Sequence, residues 1–298
     1  MNLDRDYSGA LDVWGEPTAT TMAICQSTFE RDGSIVGSIV DACGGSAYAT
    51  AIGCAHLGAE VSLSGPFGED EYGDELFEYA ASRGVAVSRT PAGRSRKTVI
   101  VVDTDGSRSM VTDLGDSFSL PYAEHAVLSP RATVLHLSLS SIVRDKTGAV
   151  ESFVRRAAGK VAISIDAGSV GVITSCGAER LRSMLLDTSP LFVFANIDEH
   201  EALHRVLNGD LNGAKYLIAK NGSSATEVTS IVTNEHVRVA TLPGVKCVDT
   251  TGAGDAFAAG FLTAVVSGVT DVEVAVRKAH SYAAAVISTY GTVVPHEV

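Results

Sequence analysis

Two apolar periods alternate along the second half of the chain. TVLHLSL (133–139), VAISID (161–166), LFVFAN (191–196) and KYLIAK (215–220) are short, nearly continuous apolar runs. Such runs suit strands buried on both faces. Between them, apolar residues recur every three or four positions. Val150, Phe153, Val154 and Ala157 do so within 146–158, closed by Gly159, and 178–187 and 198–208 read the same way. That spacing lines one face of a helix. Strands alternating with helices of about ten residues predict βαβ units: an α/β fold with a doubly wound, mostly parallel sheet flanked by helices. A hairpin signal follows at Asn234-Glu235, and then two long helices, 255–267 and 272–288. In the second, Ala275, Ala279, Tyr282 and Val286 share one face.

The first half is mixed. AYATAIGCAHLG predicts a helix that opens at the double glycine Gly44-Gly45 and closes at Gly58, and 70–83 predicts one closing at Gly84. KTVIVVDTDGSRSMV reads as a hairpin with Asp105-Gly106 in its turn. GSIVGSIV, within 18–42, adds β-branched alternation. Strands outside the helical rhythm predict a small β-sheet lid from segments near 18–43 and 88–118, inside a single domain spanning 1–298.

Composition narrows the function classes. With 298 residues, 45% of them hydrophobic, the chain can bury one large core. Its formal net charge of −12 repels nucleic acid and anionic membranes, so a small-molecule partner is expected instead. Five cysteines without metal-type spacing read as reduced thiols. MNLDRDYSGALDVWGE lacks the apolar segment of a signal peptide. No apolar run approaches the roughly 20 residues of a membrane helix. A cytoplasmic setting is the expectation.

The chemistry concentrates in DTTGAGDAFAAGF, residues 249–261. Gly252-Ala253-Gly254 precedes a helix whose apolar stripe is Phe257, Phe261, Leu262, Val265 and Val266. Small residues let a ligand approach the backbone, and unpaired N–H groups at a helix start attract phosphate oxygens. A carboxylate at Asp255, in the first turn, can take a hydroxyl proton while those N–H groups hold phosphoryl charge. The plainer alternative is a tight turn followed by an N-cap.

This stretch resembles the C-terminal signature of the ribokinase-like (PfkB) carbohydrate kinase family. GGSAYATAIGCAHLGAEVSLSGPFGEDEYG (44–73) is similar to the N-terminal signature, and Asn196-Ile197-Asp198-Glu199 matches the family's Asn-x-x-Glu element. The resemblance implies an ATP-dependent phosphotransferase with a doubly wound domain and a β-sheet lid. By position, Asp255 would be the base, and Gly252, Ala253 and Gly254 the anion hole. Asn196 and Glu199 would organise magnesium through water, although N-x-x-E is also an ordinary capped helix start. Asp249 and Thr251 would border the monovalent cation, such as potassium, that many members use. Lys220 and Gly222 fall where similar kinases contact nucleotide, with a solvent-facing lysine in a turn as the alternative. His280 falls near the adenine or is a core or surface histidine. His136, inside an apolar strand, reads as a core histidine. Similar kinases often dimerise through their lids, so a homodimer is expected.

The acceptor end departs from the pattern. Thr20 stands where relatives carry Asp, Ala49 where many carry Asn, and Asp166-Ala167-Gly168-Ser169-Val170 replaces D-P-N-x-R. Gly44, Gly45, Glu16, Thr20, Ala49 and Asp255 frame the implied acceptor site. Glu16, Tyr48, Arg94, Arg96 and Arg108 are candidate replacements for the lost contacts, the arginines being otherwise a solvated loop. Three functions compete: a kinase for a small sugar or sugar acid, a nucleoside kinase with Tyr48, Phe118 or Tyr122 as stacking aromatics, and a catalytically silent binding protein.

Overall fold

The computed structural model describes residues 1–26, 37–104, 108–119, 121–289 and 291. Its strands are β1 (Ala10–Trp14), β2 (Thr18–Cys25), β3 (Gly37–Gly44), β4 (Val61–Phe67), β5 (Ala86–Pro91), β6 (Arg96–Val102) and β7 (Arg108–Asp113). They continue as β8 (Ala132–Ser138), β9 (Ala162–Asp166), β10 (Phe192–Asn196), β11 (Tyr216–Lys220), β12 (Thr226–Ser230) and β13 (His236–Val239). The helices are α1 (Ser46–His56), α2 (Glu71–Ser82), α3 (Leu139–Arg144), α4 (Ala149–Ala157), α5 (Val170–Cys176), α6 (Ala178–Thr188), α7 (Ile197–Leu207), α8 (Ala253–Val266) and α9 (Val272–Ile287).

A 9-stranded sheet runs in the order β13-β12-β11-β10-β9-β8-β1-β4-β5. From β5 to β11 the pairings are parallel; β12 and β13 extend the sheet as an antiparallel hairpin. Alternation divides its side chains between two cores. Leu11, Val13, Phe192, Phe194 and Ile218 face α1, α8 and α9, whereas Trp14, Leu135, Leu137, Val193 and Leu217 face α4 to α7. Helix α8 is buried on every side from Ala256 to Val266, as AFAAGFLTAVV requires of a helix with no polar face. Gly260 allows α9 close: a Cβ there would meet Ala279 Cα at 2.7 Å.

The chain order reverses at β1, whose neighbours β4 and β8 lead to opposite edges. Ligands of doubly wound sheets bind outside the carboxyl ends of strands at such a switch point. The smaller sheet is ordered β3-β2-β6-β7; β2 and β3 follow β1 directly, whereas β6 and β7 follow β5.

The predicted helices and strands form within a few residues of their expected bounds. Residues 88–91 belong to the edge of the main sheet as part of β5, so the second lid segment begins later than expected, at β6. The turn at Asp105-Gly106, residues 27–36 of the first lid segment, and the side chain of Arg108 lie outside the described residues. No described helix is long and apolar enough to cross a membrane.

Candidate active site

Two helix starts converge beside β1. Gly252 adopts φ 75° and caps α8, a left-handed conformation that glycine takes without strain. The helix therefore begins at Ala253, two residues earlier than its apolar stripe predicts, and Asp255 lies within its first turn. Gly45, at φ 101°, opens α1; a Cβ there would come within 2.4 Å of the Glu16 carbonyl oxygen. Ser46, the first residue of α1, donates its hydroxyl to Asp255 Oδ1 at 2.6 Å.

Burial is the largest influence on Asp255, and the nearby Asp166 carboxylate adds to it. The Ser46 hydrogen bond and the Lys220 charge act in the opposite direction. The result is a carboxyl pushed up to about 7. Residue 255 still retains partial exposure, so one side stays open to a reactant.

Lys220 is not a solvent-facing turn residue. It ends β11 opposite Asn196, and its Nζ lies 3.1 Å from Asp166 Oδ2, with side chains only 13% and 10% exposed. A Cβ on Gly254 would sit 3.1 Å from the same Nζ, so the ammonium rests against the first turn of α8. Burial opposes its charge, but Asp166, Glu199 and Asp255 outweigh burial and raise its pKa.

Asn196 and Glu199 form a reciprocal capping box: Asn196 Oδ1 accepts from Glu199 N at 2.9 Å and Asn196 N donates to Glu199 Oε2 at 2.8 Å. The helix-start alternative is thus realised. Even so, Glu199 is buried, and burial and then Asp166 raise its pKa. These carboxylates and Lys220 form one electrostatic cluster.

The remaining residues on this side lie farther along the chain. Asp249 Oδ1 accepts from Thr251 N and Oγ1 at 2.8 and 2.7 Å, and Gly291 N donates to its other oxygen at 3.2 Å. Gly222 turns at φ 51° in an exposed loop. His280 is buried against Phe257, with Nε2 bonded to Thr226 Oγ1 at 2.8 Å. It ties α9 to β12. His136 is a core histidine, bonded to Ser164 Oγ at 2.9 Å and pushed down to about 4 by burial.

Among the residues expected at the acceptor, Glu16 is buried and accepts from Ser141 Oγ at 2.9 Å. Thr20 is buried too, and a Cβ on Gly44 would strike its hydroxyl at 2.4 Å. Ala49 is buried within α1. Tyr48 is no pocket aromatic: it is fully buried and donates to Leu76 O at 2.6 Å. Tyr122 lines a separate cavity of about 730 Å³ on the opposite face of β1, β4 and β5, away from α1 and α8. Phe118 is buried. Arg94 is exposed and paired with Asp113 at 3.1 Å. Arg96 turns inward, with a buried Nε.

Ser46, Ser141 and Arg144 were not singled out by the sequence, and Asp166 was named only within the stretch that replaces D-P-N-x-R. Ser46 meets a residue 209 positions away, which no local pattern encodes. Arg96 did carry a signal: it shares strand parity with the buried Thr98 and Ile100.

A carboxylate at a helix start with a lysine against it, outside the carboxyl edge of a doubly wound sheet, can accept a hydroxyl proton beside a cation. The chain belongs to the pfkB family of carbohydrate kinases, which it matches over residues 11–297. It is similar to an uncharacterized sugar kinase of Archaeoglobus fulgidus, 29% identical over 80% of this chain and 96% of that protein. The ribokinase of Bacillus subtilis is 26% identical over 83% of this chain and 82% of that one. In fold it resembles the crystal structure of adenosine kinase from Sinorhizobium meliloti, with a TM-score of 0.80 at 23% identity over 96% of both chains.

Proposed function

We propose that this kinase transfers the terminal phosphoryl group of ATP to a hydroxyl of a small carbohydrate or sugar acid, with Asp255 as base. The observation that carries the reading is the Asp255 carboxylate, raised to about 7 and held by Ser46 beside the α8 start. A base with a pKa near working pH is efficient because it is both ionised and basic enough to accept a proton.

The acceptor hydroxyl donates its proton to Asp255 as its oxygen bonds to the γ-phosphorus, while the bond from that phosphorus to the β–γ bridging oxygen breaks and ADP leaves. The N–H groups of Gly252 and Gly254 would face the charge on the transferring group, the Ala253 N–H being given to Thr250 O, and Lys220, against that turn, adds a cation. Magnesium, when bound, neutralises phosphate charge. Glu199 and Asn196 would hold its water shell, with Asp166 beside them. Asp249 and Thr251 would border a monovalent cation, and Lys220 and Gly222 would meet the nucleotide. His280 would support the adenine site from beneath, through α9.

Exposed Ile39, Val99 and Val111 give the lid an apolar surface that a second copy would cover in a homodimer. A cytoplasmic location follows from the same reading. Nucleosides are the second acceptor class, favoured by the fold shared with an adenosine kinase and weakened by the burial of Tyr48.

The test is ATP consumption over sugars, sugar acids, polyols and nucleosides, with Asp255→Asn as control. Turnover is expected with a sugar or sugar acid. The control should lose about 10²–10⁴-fold in kcat while binding ATP normally. Near-normal turnover by that variant refutes the base assignment, and retained turnover only on nucleosides selects the second class.

A further inference from the structure

We propose that the acceptor carries an anionic group, carboxylate or phosphate, held between Arg96 of the lid and Arg144 at the end of α3, next to Glu16. The inference rests on the kinase reading and narrows its acceptor class.

Position comes first. Thr18 pairs with Gly44 on one side and Arg96 on the other, so Arg96 enters the lid sheet one strand from the glycine that opens the acceptor site. The Glu16 carbonyl packs on Gly45, whose neighbour Ser46 holds Asp255. Ser141, which bonds Glu16, lies one turn before Arg144 in α3. Lid, β1 and α3 therefore bring these groups to one place beside the base.

Charge comes second. Glu16 is buried; burial keeps its pKa raised against the opposing pull of the Ser141 bond, Arg96 and Arg144. Arg96 also feels both Glu16 and Arg144, so the three charges form one cluster. Neither guanidinium makes a hydrogen bond or ion pair among the described residues, and Arg96 Nε is buried without a partner. Neighbouring acids are occupied elsewhere. Asp70 accepts from Ser95 N, Ser95 Oγ and Gly73 N. Asp145 accepts from Thr147 and from Val150 N. One carboxylate thus stands within electrostatic range of two guanidiniums without an ion pair to either, and Thr18 Oγ1, on the strand beside Arg96, is also buried without a partner.

Buried donors without acceptors are costly, and a guanidinium pair matches the oxygens of a carboxylate or phosphate. A neutral sugar would leave the second positive charge uncompensated. The same reasoning accounts for Thr20 and Ala49, which offer a hydroxyl and a methyl where relatives carry Asp and Asn: specificity has moved from hydroxyl recognition toward charge.

The test uses matched acceptor pairs: gluconate with glucitol, glucuronate with glucose, and ribose 5-phosphate with ribose. ATP turnover is measured for the wild type and for Arg96→Met, Arg144→Met and Arg96→Lys, each checked for folding by MgATP-dependent thermal stabilisation. Turnover is expected with a charged member of a pair, carboxylate or phosphate according to the arm that responds. Arg96→Met should raise its KM by about 30-fold or more, the loss of one charge-assisted pair, with kcat near wild type. Arg96→Lys should restore part of the loss, and neutral acceptors should show no such rise in KM. Better use of the neutral members, or an unmoved KM in both methionine variants, would overturn the anionic acceptor and leave the kinase intact. No turnover with any acceptor, despite normal ATP binding, would remove the kinase reading and this inference together.

Discussion

The two sides of the active site are built differently. The proposed phosphoryl-transfer side is local in sequence: residues 249–255 supply the turn, the helix start and Asp255 within a single loop-to-helix transition. The proposed acceptor side is assembled from β1, the lid and α3, with Glu16, Thr18, Arg96, Ser141 and Arg144 coming from separate parts of the chain. A transferring phosphate looks the same for every acceptor, so its cradle can be one fixed backbone device. An acceptor site must change with substrate, and side chains on separate elements can be exchanged singly.

This contrast can be broken at Lys220. The ammonium touches the α8 start and Asp166 but no acceptor-side residue named above. Lys220→Met should lower kcat by roughly 10²–10³-fold for charged and neutral acceptors alike, with acceptor KM near wild type. Steady-state kinetics on both members of a pair reads this out. A change confined to acceptor KM would show that the two sides are one network.

A smaller effect is expected at Glu199. Glutamine can still accept from the Asn196 N–H, so Glu199→Gln keeps the capping box and removes only the charge. The magnesium concentration for half-maximal activity should rise several-fold, with thermal stability nearly unchanged. An unmoved magnesium titration would reduce Glu199 to a helix cap.

Legibility in the sequence follows the same division. The alternation of strand and helix, the wholly apolar α8 and the 249–261 stretch are local patterns, and all could be read directly. The start of α8 was displaced because the apolar stripe begins at Phe257, whereas the left-handed Gly252 starts the helix earlier. Lys220 was ambiguous because a strand's last residue can point to solvent or inward; only the long-range partner Asp166 decides it. Tyr48 suggested a stacking ring from its place near the double glycine, but α1 is buried on nearly all sides, so the ring has no open face to reach. Ser46, Ser141 and Arg144 gain meaning only when three elements meet. Arg96 was legible as a candidate, yet its separation from Arg94 depends on β6 beginning at residue 96.

The most direct test of Asp255 as base is the pH dependence of kcat/KM. A carboxyl whose ionised form does the work must lose its proton first, so the rate should climb with pH through about 7 and fall away below it. Ser46→Ala removes a bond that favours the ionised form, so the rising limb should move to higher pH. A profile flat from pH 5 to 8, or a limb unmoved by Ser46→Ala, would contradict the account.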